Sequence, residues 1–266
     1  MIARGTRSSI HAYGPGAVVK VPEPATPETW IEFEAAYAEA ARVSGAPVPR
    51  LLGLERVDGR AASVWERVDG PSLWQRIVDA PARSGEFGAL LADVHEALFR
   101  VVPPATLPSQ RDRLTTKIRV AAATIDAAHA AALALIPAPS GRPRLCHGDL
   151  HPSNIILSDR GPVLVDWFDA SRGDPTADIA RSWVVLLAEG ADAPPHLPGA
   201  DRATLEAVTA AYLARMREHR DVDQRLLERW EAVNAVARMA EGVRRDVLIG
   251  VWTRFQNGAG LQAAAN

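Results

Sequence analysis

Residues Leu145–Asp178 read LCHGDLHPSNIILSDRGPVLVDWFDASRGDPTAD. Two branched apolar runs, Ile155-Ile156-Leu157 and Val163-Leu164-Val165, flank Ser158-Asp159-Arg160-Gly161-Pro162. Branched runs around a polar segment containing Gly and Pro predict a β-hairpin with a five-residue loop. With Leu157 facing Val163, antiparallel pairing sets Asn154 opposite Asp166, and facing Cβ atoms in such a ladder lie about 4.5–5.5 Å apart. An amide oxygen and a carboxylate at one point suit a hard, oxygen-seeking cation such as Mg2+. Asp149 sits on the loop entering the first strand, so a third oxygen group lies beside that pair, free to act as a base. The layout is H-x-D-x-x-x-x-N, a hairpin, then D.

His147, Asp149, Asn154 and Asp166 in this layout resemble the catalytic loop and metal-binding Asp of the protein-kinase-like fold. The wording HGDLHPSNIIL…VLVDWFDASRGDPTADIA resembles the aminoglycoside phosphotransferase and choline-kinase-like family of small-molecule kinases. Protein kinases carry Arg where this chain has Gly148, and Phe-Gly where it has Trp167-Phe168. Too few residues separate Asp166 from Asp178 for an activation segment. The resemblance implies an α+β, bilobal protein-kinase-like fold: a small β-rich nucleotide-binding lobe over residues 1–68, and a larger helical catalytic and substrate-binding lobe over 69–266. It also implies ATP or GTP as phosphate donor, Mg2+ on Asn154 and Asp166, Asp149 as catalytic base, and a hydroxyl of a small molecule as acceptor. His147 is then a structural brace of the loop.

At 266 residues and 28.6 kDa, the chain has room for a sizeable core. It is 47% apolar without any run of eighteen apolar residues, which predicts a soluble protein with no membrane span. Met1–Gly5 lacks the apolar core of a signal peptide, so a cytoplasmic location is expected. A net charge of −2 offers nothing to recruit nucleic acid or an anionic membrane. Cys146 is the lone cysteine and reads as a core thiol. Oligomeric state is not legible. Nearly every basic residue is Arg; only Lys20 and Lys117 are lysines. A Lys in such a chain is a candidate for a role that the planar fork of Arg does not fill.

Ile10–Tyr13 and Ala17–Val21 predict a hairpin turning at Gly14-Pro15-Gly16 and ending near Lys20, with Met1–Arg4 available for a strand before it. Gly5-Thr6-Arg7-Ser8-Ser9 reads either as a loop over phosphates or as an ordinary polar turn. Thr26-Pro27 predicts a helix start, with Trp30, Phe33, Tyr37 and Ala41 on the buried face and a stop near Gly45. Glu34 lies near that face. By the resemblance it pairs with Lys20 to orient the Lys toward the α- and β-phosphates, with Glu32 and Glu39 as rival partners. Pro47–Leu54 and Ala61–Trp65 predict two further strands around Asp58-Gly59. Trp65–Gly70 then resembles the hinge between lobes, where the Glu66 C=O and Val68 N–H would read a purine base.

Phe87, Leu90, Leu91, Val94 and Leu98 make an amphipathic stripe. Helices are expected at Arg113–Ile118, up to Ile136, over Ile179–Glu189 and Asp201–His219, and from Asp223 to about Val243. Asp178 would cap the helix after it, a structural role. For the acceptor pocket, Trp167 and Asp169 on the loop after Asp166 join Trp230 and Glu241 on the last long helix, although Trp230 also reads as core packing. Asp169, Asp174, Glu189 and Glu241 are the acidic candidates, interleaved with Arg172, Arg181, Arg238, Arg244 and Arg245. An aminoglycoside or other antibiotic, an amino-sugar and a hydroxylated metabolite all fit. A non-catalytic binding protein of the same fold is the other reading; its mark, loss of base, metal ligand or Lys, is missing here.

Overall fold

The computed structural model describes residues 1–5, 7–121, 126–138, 141–191, 200–241 and 244–263. Its N-terminal part is a five-stranded antiparallel sheet in the order β1-β2-β3-β5-β4, from β1 (Ala3–Arg4), β2 (Ser8–Ala12), β3 (Ala17–Pro22), β4 (Leu51–Val57) and β5 (Arg60–Glu66). Strand alternation sends Ala17 and Val19 to one face, where they pack with Ala62 and Val64. Lys20 falls on the opposite face, paired in register with Ser63. Ser8 and Ser9 belong to β2, so the polar stretch there is largely strand; Thr6 lies outside the described residues.

Helix α1 (Thr29–Val43) covers that sheet. It starts later than the Thr26-Pro27 signal predicts: Glu28 is the N-cap, and the Thr26 hydroxyl donates to the Arg7 carbonyl at 3.0 Å. The buried face also differs. Ile31, Glu34, Ala35, Ala38 and Ala41 are buried, whereas Phe33 is 50% exposed and stacks on Tyr37. Small alanines let the helix lie close to the sheet, and the larger rings stay at its rim. The end at Gly45 is a Schellman motif: Ala46 N–H donates to Ala41 O at 3.0 Å and Gly45 N–H to Arg42 O at 3.0 Å, with Gly45 at φ +97°.

Beyond β5 the chain is helical except for short strands. α2 (Leu73–Asp79), α3 (Ser84–Phe99), α4 (Gln110–Ala121) and α5 (Asp126–Leu135) precede the motif; α6 (Pro175–Ala191), α7 (Arg202–His219), α8 (Gln224–Arg238) and α9 (Arg245–Ala263) follow it. Phe87, Leu91, Val94 and Leu98 of α3 are buried in one large core, with Leu90 packed at its margin. α8 ends before the expected Val243, which lies outside the described residues; a 3-10 turn, Met239–Glu241, follows it. α9 was not anticipated; it buries Leu248, Val251 and Trp252. Among the described residues no helix is long and apolar enough to cross a membrane.

Two short strand pairs carry the motif: β6 (Arg144–Cys146) with β9 (Ser171–Gly173), and β7 (Ile155–Ser158) with β8 (Gly161–Leu164). The hairpin differs from the sequence expectation by one register step. Leu157 pairs with Pro162 and Ser158 with Gly161, leaving a two-residue turn, Asp159-Arg160. The Ser158 hydroxyl donates to Gly161 O at 2.8 Å and closes it. Val165 N–H donates to Asn154 O at 3.0 Å, so Asn154 faces Val165 and Asp166 comes one residue later. There the chain leaves the ladder, with Asp166 in the left-handed region at φ +66°.

Candidate active site

Asp178, in the first turn of α6, is 1% exposed and anchors the loop that carries Asp149. One carboxylate oxygen accepts from His147 N–H at 2.8 Å, the other from Gly148 N–H at 2.9 Å. His95 Nε2 donates to it at 3.0 Å, and the Tyr212 hydroxyl donates to His95 Nδ1 at 2.8 Å. A buried chain from α7 through α3 thus holds the loop backbone. Gly148, at φ +78°, has no room for a side chain: a Cβ would lie 2.2 Å from the Asp169 carbonyl. His147 Nε2 donates to Val165 O at 3.1 Å, and its ring packs on Trp167 at 4.8 Å. Burial pushes the His147 imidazole below its ordinary range, against the opposing carboxylates Asp178, Asp149 and Asp166.

The clamp leaves the Asp149 side chain 26% exposed. Arg181 Nη2 meets its Oδ1 at 2.9 Å; Arg238 lies at 4.0 Å and His151 at 3.8 Å. Burial alone would raise this carboxyl, but Arg181, with His151 and Arg238, holds it well below the usual carboxylate range. Asn154 Nδ2 donates to the Asp149 carbonyl at 2.9 Å, which leaves the amide oxygen as its free ligand atom. Asp166 is 48% exposed, and Lys20 Nζ reaches its Oδ1 at 3.2 Å. The same ammonium donates to Glu34 at 2.6 Å. Burial works against the Lys20 charge, and Asp166 and Glu34 outweigh it, holding its pKa above the ordinary value. The rivals are elsewhere: Glu39 pairs with Arg42 at 2.7 Å, and Glu32 is exposed.

The oxygen-only pair Asn154 and Asp166 fits Mg2+, which takes few protein ligands and keeps water or phosphate oxygens for the rest. No cluster of three His, Cys, Asp or Glu suited to a metal occurs among the described residues. Glu66 and Val68 stand at the exit of β5; the Glu66 side chain pairs with Arg160, which lowers its pKa.

The expected acceptor wall is corrected in three respects. Trp167 is 1% exposed, with its Nε1 donating to Leu164 O at 2.9 Å, and Trp230 is in the core; neither ring reaches a cleft. The half-buried ring on that loop is Phe168, 4.6 Å from Trp30 of α1 and under the Arg113 guanidinium at 5.3 Å. Asp169 and Glu241 do come together near Asp149, but already neutralised. Asp169 takes Arg113 at 2.6 Å and Lys117 at 2.6 Å; Glu241 takes Lys117 at 3.0 Å and Arg181 at 2.9 Å. Asp174 accepts from Thr176 N–H at 2.8 Å, and the Glu189 side chain lies outside the described residues. Sequence reasoning passed over Arg113 and Lys117, although the rarity of Lys that marks Lys20 marks Lys117 equally.

The phosphotransferase enzyme family matches residues 10–219, and the chain belongs to that family. No curated protein matches it. The fold is shared with solved structures. An aminoglycoside-3'-phosphotransferase of type VIII is 20% identical over 84% of each chain, with a TM-score of 0.62. A thermostable mutant of aminoglycoside phosphotransferase APH(4)-Ia, in ternary complex with AMP-PNP and hygromycin B, is 16% identical over 96% of this chain and 90% of that one, with a TM-score of 0.60. Choline kinase from Cryptosporidium parvum is 10% identical over 99% and 89%, with a TM-score of 0.56.

Proposed function

We propose that this chain transfers the γ-phosphate of Mg-bound ATP or GTP to a hydroxyl of a small molecule. One observation carries the reading: the Lys20–Glu34 pair closes on Asp166, while Asn154, bonded to the residue before Asp166, is tied to the loop of Asp149, so groups for phosphate, metal and hydroxyl are linked by one chain of contacts. Asp149 orients the acceptor hydroxyl and receives its proton; its depressed pKa keeps it ionised for that contact. Lys20, steered by Glu34, holds the non-transferred phosphates. Asn154 and Asp166 would hold Mg2+, which offsets phosphate charge when bound. The Glu66 C=O and Val68 N–H read the base, in a nucleotide lobe of residues 1–68 set on a helical lobe of 69–266. His147 and Asp178 brace the loop. Support for a nucleotide donor comes from the AMP-PNP complex of the APH(4)-Ia relative, and for a small acceptor from its hygromycin B and from the choline of the other.

Two tests follow. Calorimetry with AMP-PNP should give binding that weakens when magnesium is chelated and in Asp166→Ala. Affinity indifferent to both would remove the metal from this hairpin. Lys20→Ala should lower kcat/KM for nucleotide by about tenfold or more, and Lys20→Arg should not restore it, because the wider guanidinium cannot take the place of a compact ammonium between two carboxylates. An Arg variant with full activity would reduce Lys20 to a general positive charge.

A further inference from the structure

Asp149 belongs to a cluster of ion-paired side chains that does not include Lys20. Three carboxylates stand there, Asp149, Asp169 and Glu241, and four cations face them, Arg113, Lys117, Arg181 and Arg238. Two of these carboxylates, Asp169 and Glu241, lie deeper than two of the cations that pair with them. Asp169 and Glu241 side chains are 9% and 11% exposed, Arg113 and Lys117 17% and 21%. Both oxygens of Asp169 are taken, one by Arg113 and one by Lys117, and both oxygens of Glu241 accept from Arg181. Donors remain. Lys117 spends two of its three N–H groups on Asp169 and Glu241, and Arg113 uses only Nη2 among the described residues. A polycationic acceptor would have to displace a guanidinium or ammonium from a buried carboxylate and leave that cation unpaired, which is costly.

We infer, building on the phosphotransferase reading, that the acceptor carries an anionic group, a phosphate or carboxylate on a hydroxylated small molecule, received by Arg113 and Lys117. Lys117 is joined to Asp149 through Glu241 and Arg181 by three contacts of 3.0, 2.9 and 2.9 Å, so the anion-binding cations and the base belong to one network. The acceptor oxygen bonds to the γ-phosphorus as the bond from phosphorus to the β,γ-bridging oxygen breaks. The hydroxyl proton passes to Asp149, and the products are a nucleoside diphosphate and a phosphomonoester.

The test is calorimetry on the full chain loaded with Mg-AMP-PNP, titrated with 6-phosphogluconate, gluconate, sorbitol and kanamycin. The anions should bind at least about tenfold tighter than sorbitol or kanamycin, with Lys117→Gln and Arg113→Gln each weakening them about tenfold and leaving AMP-PNP affinity unchanged. Gluconate binding as tightly as 6-phosphogluconate would show that a carboxylate suffices, and binding of 6-phosphogluconate alone that the phosphate is needed. Arg113 meets Asp169 through an oxygen other than the one Lys117 holds, so its variant is a separate probe that keeps the test open if Lys117→Gln does not fold. Preference for kanamycin, no binding of either anion, or binding untouched by both substitutions overturns the inference. Phosphorylation of kanamycin from Mg-ATP would overturn it while leaving the phosphotransferase reading standing; failure to bind nucleotide at all would strike that reading itself.

Discussion

Asp149→Asn should lower kcat by about 10²–10⁴-fold while nucleotide affinity stays within about twofold. The amide keeps the shape of the side chain and its reach to Arg181 but cannot take a proton, so the loss isolates that step. Removing the charge also leaves Arg181 with Glu241 as its remaining close carboxylate, and Arg181 is 6% exposed with both at 2.9 Å. A modest fall in melting temperature should therefore accompany the kinetic loss. Steady-state kinetics with any acceptor found for the wild type decide it, and an Asn variant turning over at the wild-type rate removes Asp149 from the chemistry.

The second large effect is expected at Asp178, which meets no reactant. Asp178→Ala strands three buried donors at once: His147 N–H, Gly148 N–H and His95 Nε2–H. Each orphaned donor costs roughly 1–3 kcal/mol, so a loss of about 3 kcal/mol or more is expected. For a chain of this size that is a fall in Tm of roughly 6–12 °C. Activity should fall further than the folded fraction does, because the backbone holding Asp149 loses its anchor. Calorimetric melting and activity per folded molecule check the two parts. A Tm within a degree of wild type would mean that the loop is held by His147 and Gly148 packing alone.

The motif and its order along the chain were legible because few arrangements put a loop carboxylate, an amide and a hairpin carboxylate within one short stretch. The register was not. Gly161-Pro162 looks like loop, yet Pro162 sits in β8 of a two-stranded ribbon, where a missing N–H on the outer edge costs nothing. On α1, helical spacing puts Trp30, Phe33, Tyr37 and Ala41 inward, whereas the buried face is Ile31, Glu34, Ala35, Ala38 and Ala41 and Phe33 is exposed. Trp167 and Trp230 illustrate a third limit: an aromatic beside a motif can serve the cleft or the core, and only packing across distant segments chooses. The pairing of Arg113 and Lys117 with the acidic candidates was the largest omission, since Lys117 meets Asp169 and Glu241 across 52 and 124 residues of sequence. Local spacing carries no signal for such contacts; a scarce residue type did.

The most direct test of the central claim is phosphorus NMR of the purified chain with Mg-ATP, and separately Mg-GTP, against a panel of hydroxylated acids, polyols and amino-sugars. The account predicts a new phosphomonoester resonance growing in step with nucleoside diphosphate, abolished by chelating magnesium and by Asp149→Asn. A phosphomonoester that forms undiminished in the Asp149 variant or without divalent metal, or tightly bound nucleotide that stays intact with every acceptor, would contradict it.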